Sequence, residues 1–570
     1  MSRAARSSAI ERAQRLHRRG ESENRAGRHA QAAQLLVAAI EADPDVAEYH
    51  YELGRAMRAL AEFARAVTCF RRAIEIDPAH VDAHIDLASV MLAIGDVDAA
   101  EQAARAAVAL APRSAPAQIN LGMALEGQKN FAAAADCYRA GLAIESSVAG
   151  LACLASACLQ LGALDEARRC AEEALRLAPL NPDLHARLGS VLLEQRLPEQ
   201  AAERFREVLR LQPTSTLGCN NLGFAYDLQG RTEEAMQQYE RALAIDPADV
   251  AAHLNRAASW LAQGDYARGW DEYEWRLRSA EYVPLYNRFG PSGWDGSPLA
   301  GRRVLVYAEQ GLGDEVMYSS CLPDVLAQAA HCVIDCEPRL AGLMRRSFPR
   351  ATVHAGKQTD PVDWLADAGP LDLKIPIGGL PRHLRRARGD FPEHAGYLRA
   401  APERVEAWRE RLAQLGAGPK IGLAWRGGVP QTGRGSRSIT LQELLPVLQV
   451  PGAIFVNLQY RAADEIAAVK AQHGITIHHW QEAIDDYEEA AALLTALDRT
   501  VSVSTAVADL GGALGRPVWV MVPVRADFRY ELKGERMPWY PSLRVFRQAR
   551  YGEWPPVIEA VAAELSRLGA

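Results

Sequence analysis

A fixed period constrains this 570-residue chain more than any other feature. Pro44, Pro78, Pro112, Pro179, Pro213 and Pro247 follow one another at 34 residues, except for one interval of 67 in which Ser146 stands where a proline is missing. A small residue keeps step with them at Gly54, Ala88, Gly122, Ala155, Gly189, Gly223 and Ala257, and follows a leucine at all but the last. Proline cannot sit inside a helix, so each one ends a helical unit and opens the next. The small residue lets two helices within a unit approach closely. One such pair cannot bury its own apolar stripe, so the units must stack.

A 34-residue period with a mid-unit small residue and a proline at the join is the tetratricopeptide signature. AIERAQRLHRRG and the stretch after it fit as a divergent first unit, giving about eight helix pairs over residues 8 to 280. The expectation is an α superhelical repeat domain, 1–280, with a concave groove. Two residues before the small-residue mark stand Asn120, Asn221 and Asn255. An asparagine can grip an extended peptide backbone with donor and acceptor together, which marks them as groove anchors. Equally, they are ordinary exposed helix residues, since other units carry Glu52, Asp86, Cys153 and Arg187 there.

Lys and Arg number 64 against 71 Asp and Glu, for a net charge of -7, which argues against a protein that coats nucleic acid or an anionic membrane. Nine cysteines form no CxxC pair and no zinc spacing, and read as buried thiols in a reducing compartment. The basic N-terminus is followed by no apolar run of signal or membrane length, so a soluble, cytoplasmic protein is expected.

At about residue 281 the helical pattern gives way to EYVPLYNRFGPSGWDGSPLAGR, read as a linker, 281–300. Short apolar runs follow at 304–309, 332–337, 351–355, 421–427, 453–459, 475–480, 499–504 and 517–523, mostly with helical stretches between them. That alternation predicts a doubly wound α/β region with mainly parallel strands. A helix and loop at 402–420 divide it into lobes 301–400 and 401–570, with ligands expected beyond the carboxyl ends of the strands.

In LVYAEQGLGDEVMYS the spacing Gly311-x-Gly313 lacks the third glycine of a dinucleotide fingerprint. Asp314 opens the next helix, as an N-cap or a general base. Ser504 and Thr505 fall where a strand hands over to a helix, and can either cap that helix or hold a phosphate against its dipole. The Gly-rich loop 426–439 carries Arg426, Arg434 and Arg437, an anion clamp or a solvated loop. No GxxxxGK[ST] is present, which disfavours a P-loop ATPase. His478-His479 and Asp485-Asp486 lack metal-ligand spacing, so no metal site is expected.

From about residue 247 to 560 the chain resembles bacterial tetratricopeptide-glycosyltransferase proteins, whose carboxyl half is similar to the heptosyltransferases and, more distantly, to O-GlcNAc transferase. The stretches that carry the resemblance are GWDEYEWRL, WDGSPLAGRRVLVYAEQGLGDEVMYS, IGLAWRG with SRSI, DYEEAAALLTALD, STAVADLGGALGRPVWV and PWYPSLRVFRQ, in that order. It implies a GT-B fold of two Rossmann-like lobes, with a nucleotide-sugar held mainly by the second and no obligatory metal or cofactor. Asp314 matches the acid that acts as base, with Gln310, Gly311 and Gly313 forming the acceptor-side loop. Arg437 and Ser438 match a basic-hydroxyl pair near the donor phosphates, Gln459 ends the strand leading to the nucleotide, and Ser504 and Thr505 face its phosphate. Ser504 and Asp509 depart from the family's usual Asp and His. The resemblance implies sugar transfer to Ser or Thr of a protein held by the repeats, flagellin foremost. The alternatives are a non-catalytic scaffold with a degenerate second half, or transfer to a lipid-linked or cell-surface glycan.

Overall fold

The computed structural model describes residues 3–280, 282–290, 294–357, 359–428 and 437–568. The chain falls into two compact units, Met1–Val191 and Leu192–Ala570.

The first unit is built of consecutive helix pairs, a tetratricopeptide array. Its packing follows from the small-residue mark. A Cβ on Gly54 would lie 2.5 Å from the ring of Phe70, and one on Gly122 would lie 2.5 Å from the ring of Tyr138. The bare backbone of one helix is thus the seat for an aromatic of the next. Tyr138 cannot swing aside, because it is buried and its hydroxyl donates to Glu126 at 2.6 Å. Between helices the turns are closed locally: Val81–Ile94 ends at Gly95 in the left-handed region (φ 82°), and Asp96 caps Val97–Leu110 by accepting the N–H of Ala99 at 3.1 Å.

The second unit begins with further repeat helices, the last being Thr216–Leu228, Thr232–Ile245, Val250–Ala262 and Tyr266–Tyr273. The same device recurs here, with a Cβ on Gly223 falling 2.6 Å from the ring of Tyr239. The stretch expected to be a plain linker carries a two-turn helix, Val283–Phe289. Pro284 lies in its first turn, where the missing N–H costs nothing, and Leu285 and Phe289 are buried.

Two sheets follow. The first contains β1 (Arg303–Tyr307), β2 (His331–Cys336), β3 (Thr352–Ala355) and β4 (Leu373–Pro376) in the order β3-β2-β1-β4, all parallel. The second contains β5 (Lys420–Ala424), β6 (Ile454–Asn457), β7 (Ile477–His478), β8 (Arg499–Val503), β9 (Val518–Val522), β10 (Arg536–Met537) and β11 (Tyr540–Arg547) in the order β10-β11-β9-β8-β5-β6-β7. All of its pairings are parallel except β10 with β11. The apolar runs located eight of these strands. They missed β4, a four-residue strand holding a lysine and a proline, and β10 and β11, where polar residues alternate with the apolar ones.

One apolar cluster links Leu261, Tyr266 and Trp270 of the last repeat helices to residues of both sheets and their helices. Trp270 is its hub, with ring centroids 5.6 to 6.3 Å from Tyr273, Tyr318, Phe528 and Trp539. Of the nine thiols, Cys158, Cys219, Cys321, Cys332 and Cys336 are buried, while Cys69, Cys137, Cys153 and Cys170 are only half-buried. Among the described residues no helix is long and apolar enough to cross a membrane.

Two effects compete when Gly122 is replaced by alanine: helix propensity favours alanine by about 1 kcal/mol, whereas overpacking a filled core costs about 1–3 kcal/mol. With Tyr138 in place the clash wins, so Gly122→Ala is expected to lower the urea midpoint. In a Tyr138→Ala background the same change should raise it. An unchanged sign in the two backgrounds would contradict the ring-on-glycine account.

Candidate functional site

In both sheets the loops that leave the carboxyl ends of parallel strands carry the polar residues of interest. After β1 the chain turns at Gly311, the N-cap of helix Leu312–Tyr318, and Asp314 lies in its first turn. After β8, Thr505 caps helix Ala506–Ala513. The two helices touch at Gly313: a Cβ there would sit 2.8 Å from Oδ2 of Asp509 and 3.5 Å from the Cα of Ala506. Neither Gly311 nor Gly313 has a positive φ. Gly313 serves the close approach of one helix to the other, with no left-handed turn required of it.

The loop after β9 supplies what binds this junction. Arg529, in the 3-10 turn Phe528–Tyr530, donates from Nη1 to Oδ2 of Asp509 at 3.0 Å and from Nε to Oδ1 of Asp527 at 3.0 Å. Its Nη2 donates to Oδ1 of Asp314. One guanidinium therefore holds carboxylates from three segments, using the fixed fork that arginine alone offers. The Asp509 side chain is 5% exposed and that of Arg529 8%, while Asp314 keeps 29%. Burial pushes the Asp509 carboxyl up to about 6, the charge of Asp314 adds to that, and Arg529 opposes it. Its Oδ1 is buried with no hydrogen-bond partner among the described residues.

The same loop is anchored in the repeat helices. Phe528 packs edge-on against Trp270 and Tyr273, the Tyr266 hydroxyl donates to Glu531 at 2.5 Å, and the Leu532 N–H donates to the Ala262 carbonyl at 2.8 Å. Arg525 faces Asp227 at 3.6 Å, and Asp227 also accepts from Ser259 and Tyr239 at 2.6 and 3.1 Å. On the other side, the amide of Gln310 donates to the Tyr273 hydroxyl at 3.0 Å. Both the acid-bearing loop after β1 and the arginine-bearing loop after β9 thus rest on the final repeat.

The remaining expected site residues lie as follows. Thr505 accepts the Ala508 N–H at 3.4 Å and meets Ser502 Oγ at 2.9 Å, so its hydroxyl acts as the cap, and Ser504 is buried beside it. Ser438 Oγ accepts the Gly427 N–H at 3.1 Å, and its carbonyl accepts Arg196 Nη2 at 2.8 Å. Arg437 lies over Gly427, where a Cβ would fall 2.8 Å from its Cγ. Gln459 is buried, its Oε1 accepting the N–H groups of Trp425 and Arg426 at 3.2 and 2.9 Å, which fixes the course of the chain leaving β5. Arg426 is bound to Glu465 and to the carbonyls of Tyr460 and Arg461, which removes it from an anion clamp. Arg434 lies outside the described residues. Asp486 caps helix Tyr487–Ala496, accepting from the Glu488 N–H at 2.8 Å. Among the described residues no group of His, Cys, Asp and Glu is arranged to hold a metal.

In the groove row, the Asn120 amide donates to the Ile85 carbonyl at 2.9 Å and that of Asn255 to Asn220 at 2.9 Å. These two staple neighbouring repeats to each other, and Asn221 is half-buried on its helix.

Sequence reasoning missed Arg529 and Asp527. The available signal was their place in VRADFRYEL, the loop that leaves the carboxyl end of β9.

Tetratricopeptide repeat models match residues 17–81, 59–118 and 154–216, and a TPR repeat model matches 228–264. The chain is 35% identical over 331 residues to Protein FlbA of Caulobacter vibrioides, covering 55% of each protein, so it spans about half the length of that relative. Among solved structures it resembles YrrB, a TPR protein with an unusual peptide-binding site, at 19% identity over 32% of this chain and 95% of that one, TM-score 0.29. It also resembles PilF of Pseudomonas aeruginosa at 20% identity over 36% and 94%, TM-score 0.32. The chain thus carries tetratricopeptide repeats ahead of an α/β region with parallel sheets, and is homologous in part to FlbA.

Proposed function

We propose that the chain is a GT-B glycosyltransferase. It moves a sugar from a nucleotide-sugar to Ser or Thr hydroxyls of a protein bound by the repeats, with flagellin the leading acceptor. Residues 301–400 form the acceptor lobe and 401–570 the donor lobe, joined to the repeats of 1–280 through 281–300. The observation that carries this reading is the meeting of loops from the carboxyl ends of β1, β8 and β9 at Asp314, Asp509 and Arg529, beside the last repeat. In open parallel sheets that edge is where ligands bind.

In this reaction Asp314 takes the proton of the acceptor hydroxyl as its oxygen bonds to the anomeric carbon, and the bond from that carbon to the donor phosphate breaks, leaving its electron pair on the nucleotide. Arg437, Ser438 and the start of helix Ala506–Ala513 at Ser504 and Thr505 face the departing phosphate, and Gln459 shapes the loop beneath the nucleotide. Arg529 holds Asp314 in position and is a positioning residue. A second reading, a non-catalytic scaffold, is favoured by one observation: Asp314 and Asp509 are both already bound to Arg529, and the Thr505 hydroxyl is used as a cap.

Incubation of the full chain with nucleotide-sugars and flagellin is expected to add a sugar mass to flagellin by intact mass spectrometry. Asp314→Asn should cut the rate by at least about 100-fold while leaving donor affinity by calorimetry within about threefold. No increment with any donor together with no nucleotide binding would establish the scaffold, and normal turnover by Asp314→Asn would remove Asp314 as the base.

Asp509 supplies a pH signature. Its carboxyl rises in the folded chain from an ordinary 3.8 to about 6, so the folded state holds the proton more tightly than the unfolded one. Its stabilising contribution is therefore complete below about pH 4, is lost as pH rises to about 6, and is constant above that. Urea unfolding across this range should show wild type losing stability relative to Asp509→Asn between those two values and the gap levelling off beyond them. A gap independent of pH would show that Asp509 does not titrate in this window.

A further inference from the structure

A cavity of about 420 Å³ lies in the acceptor-side sheet region, lined by helix Leu322–Gln328, the end of helix Ala341–Ser347 and the segment 392–399. Leu322–Gln328 leads into β2 and residues 348–350 lead into β3, so the cavity sits at the amino-terminal edge of the sheet. Asp314 follows the carboxyl end of β1, at the opposite edge, so this is not the site described above. The volume is in the range of small-ligand pockets.

Its lining has a definite chemistry. Its apolar lining includes Phe348, Pro349 and Tyr397. Ser347 is half-buried in the lining, and its Oγ accepts the Arg399 N–H at 2.9 Å, which leaves its own proton to donate. Arg350 and Arg399 also line the space, and neither guanidinium has an ion-pair or hydrogen-bond partner among the described residues. The one acid in the lining, Asp324, is already neutralised by Arg385 at 2.7 Å. In a chain of net charge -7, this cavity is locally basic.

The pocket is held in shape from both lobes. The Tyr397 hydroxyl donates to the Val316 carbonyl at 2.8 Å, in the helix that carries Asp314. The N–H groups of Tyr397 and Leu398 both donate to the Ala513 carbonyl, at 2.8 and 3.0 Å. Gly396, at φ 104°, passes so close to the next turn that a Cβ would fall 2.7 Å from the Gly515 nitrogen. The cavity wall is therefore not a loose loop.

We propose that this cavity is a binding site for a small anionic ring compound of the sugar-acid or sugar-phosphate class. The two guanidinium groups grip the anion by their forks, the Ser347 hydroxyl meets a ring hydroxyl, and Phe348 and Tyr397 pack against the apolar ring face. The site is independent of the transfer reaction and stands whether or not the chain is an enzyme.

The test is calorimetry on the full chain with glucuronate, glucose 6-phosphate and neutral glucose, with no nucleotide-sugar present. Binding of either anion, with glucose at least about tenfold weaker, is expected, and the tighter of the two anions identifies the group recognised. The double variant Arg350→Ala, Arg399→Ala, which changes exposed side chains and should melt like wild type, is expected to lose at least about tenfold in affinity. Asp314→Asn should bind as wild type does. The proposal is overturned by equal binding of glucose, by no heat from either anion at about 1 mM, by full affinity in the double variant, or by loss of binding in Asp314→Asn.

Discussion

A single guanidinium organises the carboxyl half of this protein. Arg529 reaches Asp314 from the first sheet, Asp509 from the helix after β8 and Asp527 from its own turn, and does so largely out of solvent. Removing one partner from such a buried network leaves an uncompensated charge, which is costly, so the three segments are fixed relative to one another. The absence of a side chain at Gly313 is what allows the carboxylates to come within reach of one arginine.

The arrangement extends to the repeats. The residues flanking Arg529 are the ones that dock on the last repeat helices: Arg525 on Asp227, Phe528 on Trp270 and Tyr273, Glu531 on Tyr266 and Leu532 on Ala262. The final repeats share a core with both sheets, and the compact unit that contains the sheets starts at Leu192, inside the repeat array. These repeats are part of the scaffold on which the acid cluster is built. An acceptor bound near them would lie against the elements that fix Asp314.

Much of the fold could be read in the chain because it is written in periods. The 34-residue spacing marks the helix pairs, and the glycines that keep step are the seats for Phe70, Tyr138 and Tyr239. Parallel strands buried along their length, such as β1, β5 and β9, are continuous apolar runs, which is why they stood out, whereas β3 and β7 are short strands at the sheet edges. β4 and β10 were hidden because short edge strands tolerate lysine, proline and arginine, and β11, an interior strand, because proline, serine and arginine interrupt its apolar residues. Asp314 stood out through its place after a strand and a Gly-x-Gly turn. Arg529 did not, because its importance lies in partners more than 200 residues away in the case of Asp314, a separation that leaves no local pattern. Asn120 and Asn255 show the converse: a regular row in the sequence pointed outward to a ligand, whereas their amides are used between repeats.

The central claim is that Arg529 ties the two sheets and the last repeat into one mechanical unit. Hydrogen–deuterium exchange of Arg529→Leu against wild type tests it most directly. The expected result is faster exchange in helices Leu312–Tyr318 and Ala506–Ala513 and in the loop from Arg525 to Leu532, with the repeats of the first unit unchanged. Exchange indistinguishable from wild type in those two helices would contradict the claim.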